Sequence, residues 1–227
     1  MANSVYPSPG AIEVGPAGSS AFNEIGGEQP ISAGARAAIL GHRGAIIWLT
    51  GLSAAGKSTL ASGLEQQLFR SRVLPVVIDG DVLRAGLSAG LSFSPEDRTE
   101  NIRRAGESAL MLAEAGVVVV AALISPFRQD RARIARRARD RGVAFAEVYV
   151  NASLAECERR DPKSLYKKAR ARMLMAFTGI DSPYEPPLEP DLELHTDSES
   201  PGESLARLTR LALALARPGE PPAAAGA

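Results

Sequence analysis

Apolar residues fall into short unbroken runs, separated by longer stretches in which they recur every third or fourth position. Residues 45–50 (AIIWLT) form one such run and stop at Gly51, the mark of a strand buried on both faces and ended by a turn. Residues 73–78 (VLPVVI), 117–124 (VVVVAALI) and 144–150 predict three more strands, and the continuity of 117–124 predicts that it is central. A last short strand is expected at 191–195. Helical spacing predicts helices over 57–69, 95–115 (closed by Gly116), 127–141, 153–160, 163–175 and 204–216,. Strand and helix alternate, so the expected fold is α/β: a doubly wound parallel sheet covered by helices on both faces. Such sheets bind ligands at the carboxyl ends of their strands.

Residues 1–40 are rich in Gly, Ala, Ser and Pro without periodicity and are expected to be a disordered leader; residues 218–227 read as a disordered tail,. One domain, 44–217, is left, without internal repeats. The full chain of 227 residues suffices for one domain with a complete core,. Its 26 basic and 26 acidic residues cancel, which argues against a nucleic acid or an anionic membrane as partner,. No apolar stretch is long enough to span a bilayer, and a basic start followed by an apolar run is lacking, so neither a membrane span nor a secretory signal is expected,. The single cysteine, Cys157, excludes an internal disulfide, reads as a packed thiol and suits a reducing cytoplasm,. His42 and His195 lie too far apart in sequence to suggest zinc,.

Chemistry concentrates where strands end. Gly51-Leu52-Ser53-Ala54-Ala55-Gly56-Lys57-Ser58, followed by Thr59, matches G-x-x-x-x-G-K-[ST] between a strand and a helix,. Backbone N–H groups and the helix start then face ATP phosphates, Lys57 supplies a positive charge, and the Ser58 hydroxyl is a ligand for Mg²⁺. Asp79 and Asp81 end the second strand. Two carboxylates there serve to hold Mg²⁺ (Asp79), to accept a proton from an attacking hydroxyl, or simply to cap a helix. Arg84, Arg98 and Asn101 follow, with Arg103 and Arg104 expected on a solvated face,. Seven arginines between 128 and 141 flank an apolar stripe of Phe127, Ile134 and Ala138, so that helix is also expected to be solvated rather than a nucleic-acid surface.

Together GLSAAGKST (51–59), DGDVLRAGL (79–87), FSPEDRTENIRR (93–104), ISPFR (124–128), DPKSLYKKARA (161–171) and FTGIDSPYEPP (177–187) resemble the adenylylsulfate kinase family. The likeness covers 44–196. It implies a P-loop NTPase-type fold with a helical lid over 163–187, and transfer of the ATP γ-phosphate to the 3′-hydroxyl of adenosine 5′-phosphosulfate (APS). Asp81, Arg84, Phe93, Arg98, Asn101, Ile124, Ser125, Lys163 and Phe177 match family positions that contact APS, with Phe93 and Phe177 as two faces around the adenine. Ser125 matches a serine described as a phosphorylated intermediate; direct transfer, with Ser125 as a hydrogen-bonding group, is the expectation here. Lys57, Asp79, Asp81 and Ser125 form the expected catalytic set. A homodimer and an ATP sulfurylase are candidate partners.

Four positions depart from the family pattern. Val82 and Ala85 stand where many members carry an amide and an imidazole, Met175 where lysine is usual, and Ala176 where glycine precedes the lid phenylalanine. The methyl of Ala176 matters if the backbone there has positive φ. Two other readings use the same loop: a P-loop kinase for another nucleotide or a natural-product hydroxyl, and a nucleotide-binding domain without turnover. The retained acceptor residues argue against the first, and the intact Lys57, Ser58, Asp79 and Asp81 against the second.

Overall fold

Alternation inside the strands decides which helix packs on which face. The computed structural model describes residues 31–218, so the expected leader over 1–30 and the tail over 219–227 lie outside the described residues. In chain order the elements are α1 (Ala33–Leu40), β1 (Ala45–Thr50), α2 (Lys57–Arg70), β2 (Pro75–Asp79), α3 (Gly80–Ala85), α4 (Pro95–Glu114), β3 (Val118–Ala122), α5 (Arg128–Asp140), β4 (Ala144–Asn151), α6 (Leu154–Arg160), α7 (Leu165–Arg170), β5 (Leu192–His195) and α8 (Pro201–Ala216). The strands form one sheet in the order β2-β3-β1-β4-β5, with every pair parallel.

Ala45, Ile47 and Leu49 of β1 point to one face, where Leu60, Leu64 and Leu68 of α2 and Leu208, Ala212 and Ala216 of α8 cover them. Ile46 and Trp48 point to the other, under Ile102, Ala105, Ala109 and Ala113 of α4 and Ile134 and Ala138 of α5. All six residues of β1 are buried. The middle strand is therefore β1, and β3, expected there, lies one place to the side. Both read as solid apolar runs because both are interior, so continuity could not rank them.

Helix starts follow local chemistry. Ser94 caps α4 by accepting from the Asp97 N–H at 3.2 Å, ahead of Pro95, and Ser200 and Glu203 form a capping box at α8,. That box starts α8 three residues before the expected 204. Three further expectations need correction. Residues 33–40, read as leader, form α1, capped by Ser32 and closed by Gly41. The expected helix over 163–175 is only α7, because Arg172 adopts φ 57° and ends the helical turn. Helix α3 was not foreseen, and Asp79 caps it.

Candidate active site

The nucleotide loop turns where β1 ends, and its glycines are set by contact. A Cβ on Gly51, at φ 152°, would lie 2.3 Å from the Val150 carbonyl oxygen, and Gly56 takes φ 105° as it enters α2,. Lys57, the first residue of α2, is buried, and its ammonium donates to the carbonyl oxygens of Gly51 (2.9 Å) and Leu52 (2.6 Å). Burial lowers its pKa from 10.5 to about 8, against the opposing pull of Cys157, Asp79 and Asp81,. Cys157 itself is a packed thiol, as expected, and burial pushes its pKa up.

Ser58 Oγ donates to one oxygen of Asp79 at 2.7 Å, while the other oxygen accepts the Asp81 N–H at 2.9 Å. Asp79 is thus both a helix cap and a partner of the loop hydroxyl. Among the described residues no group of three or more His, Cys, Asp or Glu could hold a metal ion. A hydroxyl beside one carboxylate is the hard-oxygen set that fits Mg²⁺ shared with phosphate oxygens. Asp81 instead pairs with Lys163, which raises the lysine pKa chiefly through that hydrogen bond.

The opposite wall carries the acceptor candidates. The Arg84 guanidinium lies 4.3 Å from the centre of the Phe93 ring and donates to the Ser92 carbonyl at 3.0 Å. Arg98 donates through Nε to the Phe93 carbonyl (2.9 Å) and through its other nitrogens to Thr178 Oγ1 and the Ala176 carbonyl. It therefore ties together the two loops that carry Phe93 and Phe177. Asn101 is buried, and its Oδ1 has no partner among the described residues. An unpaired buried amide oxygen costs about 1–3 kcal/mol, so it suits a donor entering from the cavity. Arg103 and Arg104 face outward and pair with Glu100, at 2.6 and 2.8 Å.

Ser125 is 1% exposed and takes φ 41°; its Oγ accepts from Trp48 Nε1 at 3.1 Å and donates to the Leu123 carbonyl at 3.4 Å. From Lys163 the chain runs through α7 to Phe177, whose ring meets Tyr166 edge-on at 5.0 Å and packs against the core. Phe177 thus contributes to the core as well as to the cavity wall. Asp181 accepts from the N–H groups of Ala176 (2.8 Å) and Phe177 (2.5 Å). Ala176 adopts φ 55°, the backbone a glycine would favour,. The other departures, Val82, Ala85 and Met175, are exposed.

One cavity of about 880 Å³ joins these groups. Ser53, Ala54, Gly56, Lys57, Ser58 and Thr59 of the loop line it, with Asp79, Asp81, Arg84, Phe93, Arg98, Asn101, Ile124, Ser125, Lys163 and Phe177. Gly51, Leu52 and Ala55 are not on its wall; Ala55 is core, and Leu52 faces a second hollow whose only charged residue is Asp181. The cavity wall also includes Arg160 and Thr196, which sequence reasoning missed. Arg160 donates to both the Thr196 and Ala54 carbonyls (2.5 and 3.4 Å), and Thr196 Oγ1 donates to the Ala55 carbonyl (2.7 Å). Thr196 directly follows β5, so the strand-end rule was signal enough for it; Arg160 carried none.

Comparison with known proteins finds relatives both by sequence and by structure. The sequence profile "Adenylylsulphate kinase" matches residues 43–195. The adenylyl-sulfate kinase of Geotalea daltonii is 53% identical over 156 residues, 69% of this chain and 76% of that protein. That of Pseudomonas aeruginosa is 50% identical over 183 residues, 80% of this chain and 92% of its own length. The structure of the Mycobacterium tuberculosis APS kinase in complex with AMPPNP and APS superposes with a TM-score of 0.70 at 43% identity, covering 76% of this chain and 97% of that one.

Proposed function

The chain belongs to the adenylylsulphate kinase family, and from that premise we propose that it transfers the γ-phosphate of ATP to the 3′-hydroxyl of APS, giving ADP and 3′-phosphoadenylylsulfate. The observation that carries this reading is the one cavity of about 880 Å³ on which the phosphate loop, both carboxylates, Phe93 and Phe177 open. Donor and acceptor then meet without either leaving the site, which is most of what phosphoryl transfer asks of a protein.

In this reading the loop N–H groups and the α2 start hold the ATP phosphates, and Lys57 turns its ammonium from the Gly51 and Leu52 carbonyls onto phosphate oxygens,. Ser58 and Asp79 hold Mg²⁺, which when bound neutralises phosphate charge. Phe93 and Phe177 take the adenine of APS between them; Arg84, Arg98 and Asn101 bind and orient the rest of the acceptor. Asp81 accepts the proton of the 3′-hydroxyl once Lys163 moves onto substrate. The 3′-oxygen forms its bond to the γ-phosphorus as the bond to the β–γ bridging oxygen breaks, and ADP leaves. Ser125 takes no phosphate: its hydroxyl is engaged by Trp48 and Leu123. The segment 163–187 closes over the site and excludes water.

No helix among the described residues is long and apolar enough to cross a membrane. The proposal extends to a cytoplasmic location, a homodimer, and an ATP sulfurylase as supplier of APS. The test is ADP production with Mg²⁺ and ATP, measured against APS and against a panel of nucleosides and nucleotides. APS should be preferred by several decades in kcat/KM. A nucleoside or sugar preferred over APS would reassign the acceptor.

A further inference from the structure

Arg131 is the least exposed charged side chain among the described residues, at 2%. A buried guanidinium is tolerated only when its donors are met, and here they join three separate parts of the chain. Nε pairs with the Glu147 carboxylate on β4; one terminal nitrogen donates to the Ser125 carbonyl at 2.7 Å, and the other to the Glu185 carbonyl at 2.8 Å. The two carbonyls belong to the loop bearing Ser125 and to the end of the 163–187 segment.

Around this fork the same two stretches are stitched repeatedly. The Glu185 N–H donates to the Pro126 carbonyl (2.9 Å), the Arg128 N–H to the Glu185 carboxylate (2.8 Å), and Arg128 Nε to the Pro186 carbonyl (2.6 Å). Tyr184 shares a hydrogen bond with Thr50 at 3.0 Å and stacks on Tyr149. The other end of the segment is held to the acceptor wall by the Lys163–Asp81 pair, whose side chains are 59% and 70% exposed. One foot is bolted to the sheet; the other is tied by that solvated ion pair, by the Tyr166 hydroxyl on the Ser53 carbonyl at 3.1 Å and by Arg98 on Ala176 and Thr178,.

We infer that Arg131 is a positioning residue: it fixes residues 184–186 as the pivot of the closing segment and couples that pivot to the Ser125 loop. The inference rests on the kinase reading above. Ser125 takes an uncommon backbone conformation, φ 41°, and its carbonyl is held by Arg131, while the Thr50 hydroxyl donates to the preceding Ile124 carbonyl at 2.8 Å. Lysine at 131 would keep the charge but lose the planar fork, which alone reaches both carbonyls and the carboxylate together. The segment would then close out of register with the acceptor wall, admitting water. Water's oxygen would bond to the γ-phosphorus, the β–γ bridge would break, and the proton would pass to solvent, giving ADP and phosphate without an acceptor.

The experiment compares the full-length wild type, Arg131→Lys and Arg128→Ala in Tm, KM for APS and for ATP, and the ratio of free phosphate to 3′-phosphoadenylylsulfate. Arg131→Lys should raise KM for APS and that ratio by about 10-fold each, less than the about 10²-fold that a misplacement of about 1 Å can cost, and should leave KM for ATP within about 2-fold. Arg128→Ala, which removes only an exposed tie to Pro186, should move both in the same direction by less. A merely structural role would lower Tm and the active fraction while KM and the ratio stayed put, and that result in Arg131→Lys overturns the inference. Should Arg131→Lys not fold, unchanged values in Arg128→Ala overturn it instead. A wild type that makes no 3′-phosphoadenylylsulfate would instead defeat the kinase reading itself.

Discussion

Lys57 meets nucleotide with its ammonium already bonded to the loop it serves, and burial has brought its pKa down to about 8. Between that value and the 10.5 of the unfolded chain, the unfolded state binds more protons. Stability therefore rises with pH across this window, and the cost of burying the charge is carried in full below it. With the ammonium on phosphate oxygens, as proposed, nucleotide binding above pH 8 would bring a proton with it. The Kd for AMPPNP should be flat below that point and rise by up to about 10-fold per pH unit above it, with proton uptake approaching about one per site. Calorimetry in buffers of different ionisation heat measures both; a flat profile to about pH 9.5 would separate Lys57 from the phosphates. Ser125 makes the complementary case. With its hydroxyl buried between Trp48 and the Leu123 carbonyl, γ-labelled ATP without acceptor should leave no phosphoserine. Ser125→Ala should keep measurable transfer. A label that discharges to APS at the rate of turnover would prove the opposite.

Two of the four departures from the family pattern, Met175 and Ala176, lie in the 163–187 segment. Ala176 sits at φ 55°, held by Asp181 on its N–H and Arg98 on its carbonyl. An L-residue in that region costs roughly 1–2 kcal/mol, partly offset because glycine loses more entropy on folding, about 0.5–1 kcal/mol. Ala176→Gly should therefore stabilise by about 0.5 kcal/mol, a rise in Tm of about 1–2 °C. A fall in Tm would mean that the methyl is packed rather than strained. Phe177 belongs to the same turn and does two things. Its ring braces Tyr166 and the core from below the cavity while lining the cavity itself. Phe177→Ala should raise KM for APS by about 5- to 150-fold, at about 1–3 kcal/mol for a base stacked on an aromatic ring. It should also lower stability by about 1–3 kcal/mol, less than the loss for a fully buried phenylalanine. KM for ATP should change little. A variant that loses stability alone would make the ring a brace only.

At the scale of the whole molecule, what was legible was whatever announced itself locally. The run 45–50 ending at Gly51 became β1 with its loop, because interior parallel strands are solid apolar runs and a phosphate loop needs its glycines,. The helix expected from 95 is α4, and the Ser94 cap found in the structure starts it there. Illegible were features made by distant partners. Residues 33–40 read as Gly/Ala-rich leader, yet Ser32 and Gly41 close them into α1 and Leu40 packs against Gly116. Arg131 was one arginine in a run that otherwise faces solvent; only the fold brings the Ser125 and Glu185 carbonyls to it. The cavity itself joins residues from 53 to 204, an assembly that motif order suggests and only the sheet order builds. On the proposed function, this one hollow holds a phosphate donor and an adenylyl acceptor together. The most direct test is to mix protein, Mg²⁺, ATP and APS and quantify the 3′-phosphorylated product, alongside Lys57→Ala. On this reading the wild type makes one 3′-phosphoadenylylsulfate per ADP, and kcat/KM is lower by at least about 10²-fold in the variant. ADP formed without that product, or a variant retaining more than about half the wild-type kcat/KM, a difference of under ~0.5 kcal/mol, would contradict it.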